Sequence, residues 1–189
     1  MKKLSTLFKK DPNDLGRVIN EINPENEWVY EYGIPTRKYD GTATAIINGE
    51  LYKRYDAKLK DGKYKKPIPK NAIPCQDADL ITGHHPHWIK CDRNNPADKW
   101  HLKAFDLLEN KEDGTYELCG NKVQGNPENI AGHVLIKHGI VGLEITNFTY
   151  ENIKKYLSDE RNDIEGIVFH CSIDNRMCKI RKSDFGIRR

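Results

Sequence analysis

A lysine followed by an aspartate and a glycine, Lys38-x-Asp40-Gly41, is the stretch of this sequence best suited to chemistry. A lysine amine is a nucleophile only in its uncharged form, so it needs a desolvated or cation-rich site to react. Short motifs recur by chance, and taken alone Lys38 reads as an exposed lysine ahead of a strand. A chemical role therefore depends on what the rest of the chain supplies.

The residues after this motif predict a rigid support. Two β-like runs, 42–47 and 50–55, are separated by Asn48-Gly49. Both residues of such a turn must accept a positive φ angle, which makes Asn-Gly between two strands a strong hairpin signal. We therefore expect Lys38 just ahead of the first hairpin strand.

Four charged residues further along the chain lie on predicted strands or at their ends: Glu117, Glu165, Lys179 and Arg181. Because side chains alternate between the faces of a strand, Lys179 and Arg181 point to one face and could clamp a phosphate. Taken singly, either glutamate could be a solvent-facing residue of an edge strand. The fixed order of all four after the lysine motif favours a shared site.

This order of motifs resembles that of the covalent nucleotidyltransferases, which include RNA ligases, DNA ligases and mRNA-capping enzymes. Their motifs are Lys-x-Asp-Gly, a glutamate on a strand, Glu-Gly-Ile/Val and Lys-x-Lys. The matching stretches here are 38–41, 116–118, 165–168 and 179–181, and the resemblance runs from about residue 32 to 185. The stretches 67–88, 115–118 and 125–128 look similar to the standalone 5′–3′ RNA ligases first recognised in vertebrates.

The resemblance implies an α+β nucleotidyltransferase fold, the adenylation domain of ligases. Such a domain has antiparallel sheets flanked by helices, with the nucleotide in the cleft between the sheets. The length of 189 residues fits one domain over 1–189, and we expect no C-terminal OB domain after it.

The resemblance also implies the catalytic residues. Lys38 would attack the α-phosphate of ATP and form lysyl–AMP, the AMP would pass to an RNA 5′-phosphate, and an RNA 3′-hydroxyl would displace it. Asp40 would help to order Lys38. Lys179 and Arg181 would hold the α-phosphate, and such cations near Lys38 would favour its uncharged form.

Other residues would bind the nucleotide and the metal. Glu117 would contact the ribose hydroxyls, and Glu165 would hold Mg²⁺, with Mn²⁺ possible, directly or through water. Arg54 would contact a phosphate, in place of the arginine that many ligases have two residues after the motif glycine, where this chain has Ala43. Arg181 stands where lysine is usual, so charge is kept but a proton is not readily lost. Phe148 is a candidate by order for stacking on adenine, although its position before a helix also suits core packing.

Composition constrains the alternatives. The net charge of +3 is too small to diagnose nucleic-acid binding, but the segment 53–70 has eight basic residues against two acids. It is either a solvated loop or a surface that follows phosphates. Five cysteines without a CxxC pair indicate neither a disulfide framework nor a zinc ribbon. Three histidines between Cys75 and Cys91 leave zinc as a minor alternative. There is no long apolar run, so we expect a cytoplasmic protein without a membrane segment.

Periodicity predicts the supporting elements. Helices are expected over 11–22, 95–108 and 149–158. Strands are expected over 28–32, 115–120, 133–139, 164–170 and 177–182, besides the hairpin.

The sequence thus predicts an ATP- and Mg²⁺-dependent ligase that joins RNA 5′-phosphate and 3′-hydroxyl ends. A DNA ligase and a GTP-using capping enzyme of the same fold are alternatives. A non-catalytic RNA-binding module that uses the segment 53–70 is a third. The oligomeric state and the natural RNA stay open.

Overall fold

The computed structural model describes residues 2–80 and 82–189. The chain divides into two compact units. Unit 1 comprises Met1–Lys3 and Asp40–His138, and unit 2 comprises Leu4–Tyr39 and Gly139–Arg189. That residues 1–189 act as one nucleotidyltransferase domain stays a prediction.

The described residues form thirteen strands and three α-helices. The strands are β1 (Ser5–Thr6), β2 (Phe8–Lys10), β3 (Val18–Ile22), β4 (Gly33–Lys38), β5 (Thr42–Ile47), β6 (Glu50–Lys60), β7 (Lys63–Tyr64), β8 (Ile73–Pro74), β9 (His84–Lys90), β10 (Gly114–Gly120), β11 (His133–Lys137), β12 (Gly166–Cys171) and β13 (Met177–Arg181). The helices are α1 (Val29–Tyr32), α2 (Lys99–Leu107) and α3 (Tyr150–Ser158), with 3-10 turns at Pro24–Asn26, Pro96–Asp98 and Lys182–Phe185. None of these helices is long and apolar enough to cross a membrane.

Unit 1 is built on an antiparallel sheet of order β11-β10-β5-β6-β9-β8, with β7 paired to the far end of β6. One face of this sheet packs against α2, and its core includes Ile46, Leu118 and Ala104. Thr44 pairs with Lys53, so their neighbours Ala43 and Arg54 lie on the other face. That second face carries Arg54 together with the buried residues Ala45 and Trp88.

The predicted hairpin is confirmed. Strands β5 and β6 pair across Asn48 and Gly49, whose φ angles are 51° and 74°. The Asp113 carboxylate accepts hydrogen bonds from the backbone N–H groups of both turn residues, at 2.7 and 3.0 Å. Lys38, however, is the last residue of β4 and is held by pairing with β12. Its rigid support is thus a sheet of unit 2.

Unit 2 contains a four-stranded sheet of order β1-β13-β12-β4 and the hairpin β2–β3. One face of the four-stranded sheet is apolar and fully buried, with Ile167, Phe169 and Ile180 packing against Ile153 and Leu157 of α3. Because side chains alternate, the neighbouring residues of β13 and β12 project from the opposite face. This mixture of mainly antiparallel sheets and few helices is compatible with the predicted α+β class, whereas the nucleotide cleft stays a prediction.

Two predicted elements near the N-terminus are wrong. The stretch 11–22 is a turn followed by β3, because the Asp11 and Asp14 carboxylates bond to the N–H groups two residues further on and so stabilise turns. The β-branched residues at the ends of β3 then favour pairing with β2. The aromatic run 28–32 is not a strand but contains α1, and Trp28 and Val29 are buried in the core.

The remaining predicted elements are confirmed within a few residues. The helix over 95–108 forms as a 3-10 turn followed by α2, and the Asn95 side chain caps it by accepting the Ala97 N–H at 3.1 Å. The helix over 149–158 is α3, although the Thr149 side chain makes no capping hydrogen bond. The strands predicted around Glu117, His133, Glu165 and Lys179 are β10 to β13.

Candidate active site

Three cations of unit 2 share the sheet face opposite the core. Gly166 of β12 pairs with Lys38 on one side and with Arg181 on the other. Lys179 lies two residues before Arg181 on β13 and pairs with Val168 of β12. Directly opposed residues project from the same face of a sheet, so Lys38, Lys179 and Arg181 form one cationic face. The predicted phosphate clamp of Lys179 and Arg181 therefore shares its face with the predicted nucleophile.

Glu165 is the carboxylate partner of Lys38. It stands directly before β12, where its carbonyl oxygen accepts the Lys182 N–H at 2.9 Å. The Lys38 ammonium forms an ion pair with Glu165 Oε2, and both side chains are about 20% exposed. Lys38 Nζ also lies 3.4 Å from the carbonyl oxygen of Tyr39. The two residues predicted to act in nucleophilic attack and metal binding are thus in direct contact.

Lys179 is the most perturbed cation of this face. Burial, with the positive charges of Arg181 and Lys38 adding to it, lowers the pKa of Lys179 from 10.5 to about 8. The carboxylates of Asp184 and Glu165 offset only part of this lowering of the pKa. Keeping a partly buried cation charged costs free energy in the folded chain. Such a group is suited to receive an anion.

Arg181 is oriented by a fully buried carboxylate. Asp184 accepts hydrogen bonds from Arg181 Nε at 3.3 Å, Arg181 Nη2 at 3.0 Å and Lys10 Nζ at 2.7 Å. Burial alone would raise the pKa of Asp184, but the two cations outweigh it and lower that pKa. The sequence analysis missed Lys10 and Asp184. The i, i+3 spacing of Arg181 and Asp184 was the available signal.

Gly166 is required by the close approach of β12 and β13. A Cβ atom at residue 166 would lie 2.2 Å from the Ile180 carbonyl oxygen and 2.7 Å from the Arg181 Cα. Both contacts are with backbone, so the strands would have to separate. The glycine of the Glu165-Gly166 pair therefore lets β13 lie close to β12, with Arg181 on one side of Gly166 and Lys38 on the other.

Gly166→Ala is expected to lower the free energy of unfolding by about 1–3 kcal/mol, the usual cost of overpacking. The measurement is the midpoint of urea unfolding. Gly142→Ala is the matched control, since a Cβ there meets nothing within 4 Å and the change should be neutral or slightly stabilising. Equal midpoints for the two variants would contradict this account.

Glu117 is the centre of the polar group in unit 1. Its Oε1 accepts the Gly41 N–H at 3.1 Å, and its Oε2 contacts His138 Nε2 at 2.9 Å. The other ring nitrogen of His138 lies 2.9 Å from Thr115 Oγ1. A Cβ at Gly41 would lie 2.2 Å from the Leu118 carbonyl oxygen, so only glycine fits against β10. The lysine motif and the strand glutamate, two motifs predicted separately, are therefore joined by a hydrogen bond.

His138 is a residue that the sequence analysis missed. It was seen only as part of a predicted strand, and its position next to β10 depends on the pairing of β10 with β11. Asp40 donates its backbone N–H to Glu128 Oε1 at 2.9 Å. The predicted role of Asp40 in ordering Lys38 stays a prediction.

Arg54 and Glu117 lie on the same face of the unit 1 sheet, opposite the face that packs against α2. Ala43 lies on that face with Arg54, and Glu117 pairs directly with Ala43. Its guanidinium carbon lies 5.4 Å from the Trp88 ring centroid, and its Nη1 lies 3.9 Å from Cys75 Sγ. Burial lowers the pKa of Arg54, partly offset by acidic neighbours that include Glu117. Arg54 and Glu117 are thus electrostatically linked on one face.

The other candidates have structural roles in the described residues. Phe148 packs edge-on against Phe169, 5.0 Å between ring centroids, in the core of unit 2. His84 Nδ1 contacts the Asp56 carboxylate. Over residues 2–80 and 82–189, no group of three or more His, Cys, Asp or Glu side chains could hold a metal.

The comparison with protein families found a similarity in the C-terminal part of the chain. Residues 106–189 match a family model of RNA ligases, and the match supports an RNA ligase with an RNA substrate. That model is described as RNA ligase 1, and the matched stretch is less than half of the chain. The matched stretch contains Glu117, Glu165, Lys179 and Arg181, whereas Lys38 lies outside it. A search of curated proteins found no match to this chain.

Proposed function

We propose that this chain is an ATP-dependent RNA ligase of the standalone vertebrate type, which joins RNA 5′-phosphate and 3′-hydroxyl ends through lysyl–AMP and an adenylylated RNA. The observation that carries the proposal is the cationic face of unit 2. Lys38 contacts Glu165 there, on the same sheet face as Lys179 and Arg181. The RNA ligase match of residues 106–189 supports the same class.

The first step is an in-line displacement at phosphorus. The Lys38 amine loses a proton and forms an N–P bond to the α-phosphorus of ATP. The bond from that phosphorus to the bridging oxygen breaks, and pyrophosphate leaves with the electron pair. A terminal oxygen of an RNA 5′-phosphate then attacks the AMP phosphorus, and the N–P bond breaks as the Lys38 amine leaves and regains its proton. An RNA 3′-hydroxyl loses its proton and attacks the phosphorus of that RNA 5′-phosphate, and AMP leaves with the electron pair. Each step depends mainly on positioning and charge stabilisation.

Lys179 and Arg181 supply that charge stabilisation in the proposal. Their positive charges would hold the α-phosphate and also favour the uncharged form of the neighbouring Lys38 amine. Arg181 is held by Asp184, so its guanidinium is oriented before the nucleotide arrives. Because arginine stays protonated, we assign Arg181 to binding phosphate and not to proton transfer.

Glu165 is the residue proposed to hold Mg²⁺ or Mn²⁺. A single, partly exposed carboxylate fits Mg²⁺, which commonly takes one or two carboxylates and completes its shell with water and substrate phosphates. The ion would neutralise negative charge on the phosphates. Lys38 has to leave its ion pair with Glu165 before it can attack.

Two further residues are proposed to bind the nucleotide. Glu117 would accept hydrogen bonds from the ribose hydroxyls, and Arg54 would contact a phosphate. Asp40 would help to order the adjacent Lys38. Both carboxylate oxygens of Glu117 are already engaged, by Gly41 and His138, so the orientation of this side chain is set in advance.

A labelling experiment tests the proposal. The protein is incubated with ATP or GTP labelled at the α-phosphate and run on a denaturing gel. Covalent label from ATP supports the ligase, and label from GTP would indicate a capping enzyme. Label from neither nucleotide would favour a non-catalytic RNA-binding module. Joining assays on RNA and DNA breaks then separate an RNA ligase from a DNA ligase.

The rate of adenylation is expected to fall at alkaline pH. Lys179 is charged below its pKa of about 8 and loses the charge above it, so the value of kcat/KM for ATP should decline with a midpoint near pH 8. Lys179→Arg keeps the charge and should remove this decline. The measurement is the rate of label incorporation from pH 6 to 10. A decline that persists in Lys179→Arg would assign it to another group.

His138→Ala is expected to raise the KM for ATP about tenfold with little change in kcat, because Glu117 loses one of the two donors that orient it. His138→Gln provides a donor of similar reach and should restore part of the affinity. The measurement is the rate of auto-adenylation against ATP concentration. Similar KM values for the parent and the alanine variant would show that His138 does not position Glu117.

A further inference from the structure

A hairpin of unit 1 brings four lysines together on one face. Strand β6 turns at Asp61 and Gly62, with φ angles of 52° and 74°, and returns as β7. Lys60 pairs with Lys63, and the Lys65 N–H donates to the Lys58 carbonyl oxygen at 2.9 Å, which places those two residues opposite each other. Directly opposed residues share a face. Lys58, Lys60, Lys63 and Lys65 therefore form a two-by-two array, which we term the lysine block.

The lysine block is not neutralised within the described part of the chain. All four side chains are exposed, and none has a carboxylate within ion-pair distance over residues 2–80 and 82–189. Lysines on other strands do have carboxylate partners, as in the pairs Lys9–Glu21, Lys90–Glu50 and Lys137–Glu112. Two acids lie on the same face of β6, and both are engaged elsewhere, Asp56 by His84 and Glu50 by Lys90.

The arrangement is unfavourable for the folded chain by itself. Like charges directly opposite each other on two strands are destabilising, and the block contains two such pairs. The other face of the hairpin is anchored, since Tyr64 bonds through its hydroxyl to His85 Nδ1 at 2.6 Å. The hairpin is therefore held in place while its four lysines repel one another. Binding of a polyanion would relieve this repulsion.

The lysine block lies on the same face of β6 as Arg54, the residue proposed to contact a phosphate. Even-numbered residues of β6 share one face, so Lys58 and Lys60 project from the same side of the sheet as Arg54. At about 3.3 Å per residue, Arg54 and Lys60 lie about 20 Å apart along the strand. That length corresponds to several nucleotides of an RNA strand.

We propose that the lysine block binds the sugar–phosphate backbone of the RNA to be joined. This inference rests on the proposed function and deepens it, because it assigns RNA affinity to residues that take no part in the proposed adenylation. An RNA strand carries one charge per nucleotide, which matches a row of cations along a strand better than a compact anion would. The segment lies outside residues 106–189 and so is independent of the family match.

The test compares two quadruple variants. One replaces the block (Lys58→Gln, Lys60→Gln, Lys63→Gln and Lys65→Gln). The control replaces four exposed lysines elsewhere (Lys103→Gln, Lys122→Gln, Lys154→Gln and Lys155→Gln) and lowers the net charge by the same amount. Binding of a 5′-phosphorylated single-stranded RNA is measured by fluorescence anisotropy over a range of salt concentrations. Auto-adenylation with labelled ATP, which needs no RNA, is measured in parallel.

The block variant is expected to lose at least tenfold in RNA affinity at low salt. The slope of log affinity against log salt should become shallower by about 3, because each phosphate that a lysine neutralises on a single strand contributes about 0.7 to that slope. The control should bind RNA like the parent, and auto-adenylation should stay within about twofold in both variants. Unchanged affinity and slope in the block variant would overturn the proposal.

Three further outcomes are decisive. An equal loss of affinity in both variants would assign the effect to net charge and overturn the proposal. If the parent binds RNA through the block but takes no label from ATP, the proposed ligase function fails while the RNA surface stands. A polyglutamate that displaces RNA from the parent at equal charge concentration would indicate an acidic protein partner and contradict the RNA assignment.

Discussion

Lys38→Ala is expected to carry no covalent label after incubation with α-labelled ATP, a loss of at least about 10⁴-fold. The Lys38 amine supplies the nitrogen of the proposed N–P bond, and removing a covalent nucleophile leaves only residual activity. The side chain lies at the end of β4 with about 20% exposure, so its removal should leave the sheet intact. The measurement is the gel assay, with thermal melting to show that the variant is folded.

Two comparisons make the Lys38 result specific. Lys154→Ala removes an exposed lysine of α3 in the same unit and should label like the parent. Lys38→Ala should still join RNA that has been adenylylated chemically at its 5′ end, because that substrate bypasses the first step. A Lys38→Ala variant that carries AMP as well as the parent would show that the nucleophile lies elsewhere.

Lys179→Met is expected to slow adenylation by about 10²–10³-fold while leaving the protein as stable as the parent or more stable. The charge would stabilise the transferring phosphate, and removing one such group typically costs this factor. Burial disfavours the charged form of Lys179, which is why its pKa is lowered in the folded chain. The charge therefore costs free energy of folding. An uncharged side chain of similar length relieves that cost, so activity and stability should move in opposite directions. The measurements are single-turnover labelling and urea unfolding at pH 7.

Lys182→Met is the matched control for Lys179→Met. Lys182 is also buried, but it starts the 3-10 turn after β13 and lies three residues further along the chain. Its replacement should leave the adenylation rate near that of the parent. A parallel loss of activity and stability in Lys179→Met would instead indicate a structural role for Lys179.

Much of the site was predictable because its signals are local. The Asn48-Gly49 turn, the alternation of Lys179 and Arg181 with apolar residues, and the Asn95 cap each depend on neighbours within a few residues. The helix predicted over 11–22 was wrong because it, too, relied only on local signals. An aspartate before a proline signals a helix start, but Asp11 and Asp14 closed turns, and pairing with β2 decided the conformation of β3.

The family match covers the part of the chain in which the strand motifs are densest. The lysine motif lies outside this match, so its role rests on the geometry around Lys38 and on the resemblance of its motif.

The sequence by itself determined which chemical groups are available and, through alternation, that Lys179 and Arg181 share a face. Only the tertiary structure decided their partners. Strand β12 pairs with β4 on one side and with β13 on the other, so Lys38 lies on the same sheet face as Lys179. The same pairing places Lys38 in contact with Glu165. The pairing of β10 with β11 brings His138 to Glu117. Such contacts join residues far apart in sequence, so they depend on strand register, which local propensities do not specify.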